Sequence, residues 1–272
     1  ELKAISPEFL ISKIQEWMSY KHFMIYYGPD QLNTVVNGIK QTHSLANLKD
    51  IPAEVTFYED VTSKDRVFVV DYESPQVILY SISHGDKYDK ELTPKITLYN
   101  EYFGGSMNSI VFQEMREARA LAYTAMSVYS SPSDLKHLHQ NISYIACGND
   151  KMVQAIEAFH ELMTNMPENE NAFNIAKESS INAYRTARIK KERYVWNYLA
   201  WEKLGLKEDP RKANFETLPT LNLADIKAFQ KEKVSGKPKT YLVLGNTKEL
   251  DMKYLKKIGK VKVLTLEDIF GY

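Results

Sequence analysis

Apolar positions recur near helical spacing over residues 7–19, where Phe9, Ile11, Ile14, Trp17 and Met18 stand out, with Ser6 as N-cap and Pro7 in the first turn. Residues 22–27 (HFMIYY) predict a short aromatic strand stopped by Gly28-Pro29, and 30–40 a second helix. The mixed polarity of 44–65 predicts a linker, extended at 54–58. A new pattern follows. Residues 66–72 and 76–83 are apolar strands split by Ser74-Pro75, and 90–103 and 107–118 are helical, divided by Gly104-Gly105. Alternation predicts strands at 120–129 and 139–147. Helices are expected at 150–165 with Asp150 as cap, at 169–192, at 192–204 ending on Gly205, and at 222–233 with Asn222 as cap. The chain closes with a strand at 240–245, a helix at 247–258 and a strand at 260–266. Paired strands followed by runs of helices predict an α+β domain, its mostly antiparallel sheet covered by helices on one face. The pattern shows no internal repeat and no low-complexity tract.

Composition narrows the function class by exclusion. The 272 residues are 44% hydrophobic and 26% charged, ordinary for a globular protein. Lys+Arg and Asp+Glu both number 35, which gives no case for nucleic acid or an anionic membrane. No apolar run approaches the ~20 residues that span a bilayer. The single Cys147 rules out an intramolecular disulfide. The chain starts Glu1-Leu2-Lys3 and enters almost directly into a helix, which reads as part of a longer protein.

The stretch 102–123 (YFGGSMNSIVFQEMREARALAY) carries the most chemistry. Gly104-Gly105 breaks one helix and offers positive φ for a sharp turn. In the next helix Phe112, Arg116 and Arg119 fall at i, i+4 and i+7, on one stripe. Tyr123 lies four residues past Arg119, and a short helix-to-strand connection brings Arg116 and Tyr123 toward one point. A guanidinium and a phenol both donate hydrogen bonds, so the pair suits a peptide carbonyl on which negative charge develops. The same residues also fit a plainer reading. Glu114, Glu117 and Glu101 are ready surface partners for an arginine, and a double glycine ends a helix without any ligand.

Other clusters are less specific. His137 and His139 share one side of a strand start, with Cys147 eight residues on, but no convincing third metal ligand follows. His84, Asp86 and Asp89 fit a polar loop better than a metal site. Arg185, Arg188, Lys190, Lys191 and Arg193 predict a basic helix face, solvated or facing substrate. Tyr194, Trp196, Tyr198 and Trp201 predict core or interface packing.

The 102–123 stretch resembles the C-terminal-half motif of the M16 zinc peptidases (insulinase, pitrilysin and processing-peptidase type): a Gly-rich turn, Ser, Phe-Gln-Glu, Arg-Glu-x-Arg and Leu-Ala-Tyr. VFVVDYESPQVILYSIS is similar to the family's domain-opening strands, and KYLKKIGKVKVLTLEDIFGY to its closing helix, strand and tail. HFMIYYGPD is similar to the end of a preceding domain in long members. The resemblance implies a LuxS/MPP-like metallohydrolase fold. It implies three parts: the tail of a preceding domain at 1–43, a linker at 44–65 and a C-terminal M16-type domain at 66–272. By resemblance Arg116 and Tyr123 are catalytic contacts to the scissile carbonyl, and Phe112, Gly104 and Gly105 line the substrate site. Peptides or unfolded polypeptides are the implied substrates, and a bacterial periplasm or cell envelope the implied location. Family peptidases hold Zn²⁺ on a His-x-x-Glu-His motif. No histidine here has Glu at +3 and His at +4; His160-Glu161 begins the reverse motif, but position 164 is Thr. The zinc is therefore expected on an N-terminal half or a partner subunit, with this chain alone inactive. The alternative is a non-catalytic scaffold or assembly subunit of the same fold.

Overall fold

The computed structural model describes residues 2–43 and 46–271. Glu1, Ser44, Leu45 and Tyr272 lie outside the described residues, and with them the first two positions of the expected linker and the outer ends of the expected domains. The described chain forms two compact units, 1–57 with 189–199, and 58–188 with 200–272. The division at 57/58 falls inside the expected linker.

The first unit contains α1 (Pro7–Met18) and α2 (Leu32–Thr42). The Ser6 hydroxyl accepts the Phe9 N–H at 3.2 Å, as the sequence predicts, and Pro7 opens the helix. Neither helix buries a residue. Phe9, Ile11, Ile14, Trp17 and Met18 are all exposed. The expected strand at 22–27 does not form, and 54–58 has no ladder either. An extended segment becomes a strand only when another backbone takes its hydrogen bonds. Here the pairing is a lone bridge between Tyr20 and Lys49.

The second unit is built on a six-stranded sheet. It comprises β1 (Arg66–Asp71), β2 (Gln76–Lys87), β3 (Thr124–Ser130), β4 (Leu138–Gly148), β5 (Thr240–Gly245) and β6 (Lys260–Leu264), in the order β3-β4-β2-β5-β1-β6. β3–β4, β4–β2 and β2–β5 pair antiparallel, while β1 runs parallel to both β5 and β6. The expected α+β, mostly antiparallel sheet is therefore present. β2 runs to Lys87 rather than 83, absorbing His84 and Asp86 into the strand, with a register shift between His84 and Lys87.

Its helices are α3 (Thr93–Tyr99), α4 (Ile110–Phe112), α5 (Met152–Thr164), α6 (Glu170–Thr186), α7 (Tyr194–Lys203, shared with the first unit), α8 (Arg211–Thr217), α9 (Leu223–Lys233), α10 (Met252–Ile258) and α11 (Leu266–Phe270). α8 and α11 were not expected. Both are short, with too few turns to show a period. Asp150 sits in a 3₁₀ turn ahead of α5 and does not cap it; Lys151 holds that position. α6 ends at Thr186, so Arg188 and Lys190 lie beyond it and the expected single basic face does not exist. Tyr194, Trp196 and Tyr198 are exposed, so they do not form a core, although Tyr194 packs on the Tyr27 ring at 4.7 Å between centres.

One sheet face makes the core. Val67, Val69, Leu79, Tyr129, Ile145 and Val243 meet Leu98, Tyr99, Phe103, Ile156, Phe159, Ile226 and Phe229 from the helices. Asn222 and Asp225 form a reciprocal capping box that starts α9 and places Ile226 and Phe229 on the sheet. Asn222→Ala is expected to lower stability by about 1 kcal/mol, read as a lower urea midpoint with unchanged m-value. The order helix, apolar run closed by glycine, helix occurs twice: α1, 22–28, α2, and again α9, β5, α10. This order-level likeness is invisible to a search for repeated residues. The second occurrence has a sheet and a core; the first has neither.

Candidate functional site

Residues 100–104 are wound as a π-helix that lies on β3. The Asn100 side chain holds it there, donating from Nδ2 to the Tyr129 carbonyl at 3.0 Å and accepting the Tyr129 N–H at 2.8 Å. Gly104 is buried, and a Cβ on it would lie 2.4 Å from the Ser127 carbonyl oxygen. A Cβ on Gly105 would lie 2.8 Å from the Asn100 oxygen. Neither glycine has positive φ; Gly105 sits at −99°. The expected sharp left-handed turn is thus corrected. Close backbone approach, rather than conformational freedom, is what these two positions require.

α4 continues into a second π-wound segment, Gln113–Ala118, where the Arg119 N–H reaches back five residues to the Glu114 carbonyl at 3.0 Å. Ala120 then takes positive φ (48°), and the Leu121 and Ala122 N–H groups both donate to the Met115 carbonyl. Lys151 Nζ donates to the Ala120 carbonyl at 2.8 Å. This turn delays β3 to Thr124, four residues later than expected. Tyr123 stands just ahead of the strand, its N–H on the Ala146 carbonyl at 2.8 Å.

The turn brings three of the expected residues together. The Arg116 guanidinium carbon lies 5.2 Å from the Phe112 ring centre and 5.1 Å from that of Tyr123. Arg116 Nε is also 3.4 Å from a Glu117 oxygen. Its side chain is 41% exposed, and Tyr123 is 67% exposed. Where such a cation lies over the rings by its face, the N–H groups on its edge that Glu117 does not take are left as donors. A stacked cation beside a phenol hydroxyl can therefore offer several donors to one oxygen. Arg119 does not share this stripe, because π winding turns less per residue than α winding. It pairs with Glu114 at 3.2 Å and Glu161 at 2.8 Å, and these partners hold it more firmly protonated, Glu161 first. Glu101 accepts Ser179 Oγ at 3.0 Å.

The remaining candidates separate. His137 bonds Asp134 at 2.7 Å, while His139 is buried with its ring near Tyr129 and Tyr88. Asp86 pairs with Lys233, and Asp89 accepts the Glu91 N–H. Cys147 is buried, and burial pushes its thiol up to about 11. Among the described residues no three His, Cys, Asp or Glu gather for a metal ion, and no helix is long and apolar enough to cross a membrane. Sequence reasoning missed Lys151, whose contact with the 119–123 turn comes from 31 residues away.

Burial lowers His84, His139 and His160 from the ordinary histidine value of 6.5. The unfolded chain takes up these protons near that value while the native state resists. Native stability is thus expected to be kept above about pH 6.5 and to fall as pH drops below it. Urea denaturation at neutral and mildly acidic pH checks the sign.

Three comparisons bear on this geometry. The family model for the peptidase M16 inactive domain matches residues 20–180, more than half of the chain. Among solved structures, a peptidase M16 inactive domain from Pseudomonas fluorescens is similar at TM-score 0.61 and 17% identity, over 80% of this chain and 52% of that one. A conserved protein from Enterococcus faecalis is similar at TM-score 0.69 and 16% identity, over 92% of this chain and 58% of that one. A protease from Helicobacter pylori is similar at TM-score 0.59 and 13% identity, over 89% of this chain and 59% of that one. The chain thus spans little more than half the length of these structures. No curated protein sequence matches it. By its family model and its sheet, the chain belongs to the peptidase M16 family, as a C-terminal, inactive-type domain.

Proposed function

We propose that this chain is the substrate-binding half of an M16 zinc peptidase, with Arg116 and Tyr123 donating hydrogen bonds to the scissile carbonyl and Phe112 lining the site. The observation that carries the reading is the guanidinium of Arg116 held between the Phe112 and Tyr123 rings at 5.2 and 5.1 Å. A carbonyl oxygen met by two such donors is stabilised as it takes on charge. Among the described residues no three His, Cys, Asp or Glu gather for a metal ion, and the reading assigns the metal and the general base to another half or a partner subunit. Gly104 and Gly105 act through backbone packing beneath the site. The exposed apolar positions of α1 and the sheetless run at 22–27 support the reading of 1–43 as the tail of a preceding domain.

The isolated chain is expected to bind unfolded peptide without hydrolysing it. Chelator-sensitive peptide cleavage by the isolated chain overturns the reading. The rival, a scaffold subunit, is separated by the sequence that pairs with this half. An intact His-x-x-Glu-His there favours the peptidase, and a degenerate one favours the scaffold.

A further inference from the structure

A cavity of about 560 Å³ opens at the amino ends of β1 and β5, lined among others by Lys64, Asp65, His160, Lys237, Lys239 and Tyr241. Tyr241 is 3% exposed, and its hydroxyl lies 2.9 Å from His160 Nε2. If Tyr241 donates, the neutral imidazole keeps an N–H on Nδ1; if His160 donates, the phenol keeps its O–H. Either way the pair retains one donor.

Lys239 is partly buried, and burial lowers its affinity for its proton. Its ammonium donates to the Lys237 carbonyl at 3.2 Å and joins no ion pair among the described residues. The one carboxylate on the lining, Asp65, accepts the backbone N–H of Lys239 at 2.7 Å. Lys64, which is exposed, and the half-buried Lys237 also line the cavity, so three lysines stand against that single acid. Asp65 is the one acid that favours the charged form of Lys239, against three lysines on the lining, so the cavity carries an excess of positive charge that a core does not need. The arrangement is explained by an anion that completes it.

We propose that this cavity binds a phosphate-type oxyanion, held by Lys239, Lys237 and Lys64 and by the remaining donor of the His160–Tyr241 pair. Charge-assisted bonds from ammonium groups to phosphate oxygens supply the affinity. The site is independent of the peptide-binding reading. Tyr123 bonds Ala146, which pairs with Ile78, which pairs with Leu244; that path leads to the carboxyl end of β5, opposite the cavity.

The test is isothermal titration of the full chain with inorganic phosphate and with tripolyphosphate at fixed ionic strength. Saturable one-site binding is expected, weakened about tenfold or more in Lys239→Met. Lys248→Met, which removes an exposed lysine from the turn after the carboxyl end of β5, is expected to leave it unchanged. A thermal melt checks that Lys239→Met is folded. Tighter binding of tripolyphosphate identifies a larger phosphorylated ligand, and equal affinity identifies phosphate itself. Absence of saturable binding overturns the proposal, as do equal losses in the two variants. Arg116→Ala leaves phosphate binding intact, so this site and the peptide site stand or fall separately.

Discussion

Arg116→Ala, made in a protein that also carries the zinc-binding half, is expected to lower kcat by ~10²–10³. Metal content is expected to stay unchanged, because no atom of Arg116 belongs to a metal donor set. The guanidinium contributes donors to an oxygen whose charge grows only as the reaction proceeds, so the loss falls on kcat more than on KM. Tyr123→Phe removes the hydroxyl but keeps the ring 5.1 Å from the guanidinium, which separates donation from stacking. Phe112→Ala removes one stacking face, with an expected loss of about 0.5–1 kcal/mol, a few-fold in rate. Arg116→Lys keeps the charge but not the planar face, and is expected to fall short of the parent. Arg116 is half-exposed and its ion pair is loose, so its loss should shift folding stability by no more than about 0.5 kcal/mol. Zinc lost together with activity contradicts the assigned role, as does an unaffected kcat.

Gly104→Ala is expected to be strongly destabilising. The new Cβ would meet the Ser127 carbonyl oxygen at 2.4 Å and the Ser127 nitrogen at 2.7 Å. Both are backbone atoms of an edge strand already tied to β4 and to Asn100, so neither yields cheaply. Overpacking of this kind costs about 3 kcal/mol or more, a fall in Tm of roughly 6–12 °C. Gly236→Ala is the control. There φ is +68° with nothing within 4 Å of the added carbon, so only backbone strain of about 1 kcal/mol applies. A Gly104→Ala protein that melts normally but no longer binds peptide would instead make Gly104 a direct substrate contact.

The contrast between the two π-wound segments shows where sequence reading stops. Local rules placed Ser6 and Asn222 as caps, β5 at 240–245, and the ends of β1 and α5 to within a residue or two. Each depends on neighbours a few positions away. The same rules read 107–118 as α-helix and put Arg119 on the Phe112 stripe. The i+5 winding comes from docking against β3 and α5, and propensity does not encode it. The double glycine was read as a turn because φ is a local property. Its actual use, contact with Ser127, depends on a strand more than twenty residues away.

The segment 22–27 makes the same point in reverse. Its residues are as apolar as those of β5, yet it stays unpaired, because strand formation is decided by the neighbour that takes the hydrogen bonds. Sequence by itself determined the family motif, the six strands of the sheet and most of the helices packed on it, the spacing of Phe112, Arg116 and Tyr123, and the lack of a zinc motif, since each is written in nearby positions. Tertiary structure alone decided that Arg116 is stacked while Arg119 is tied to Glu161, that Lys151 braces the turn between Arg116 and Tyr123, and that His160, Lys239 and Tyr241 share a cavity. These contacts join residues tens of positions apart, and only the packing of helices on a common sheet brings such residues together.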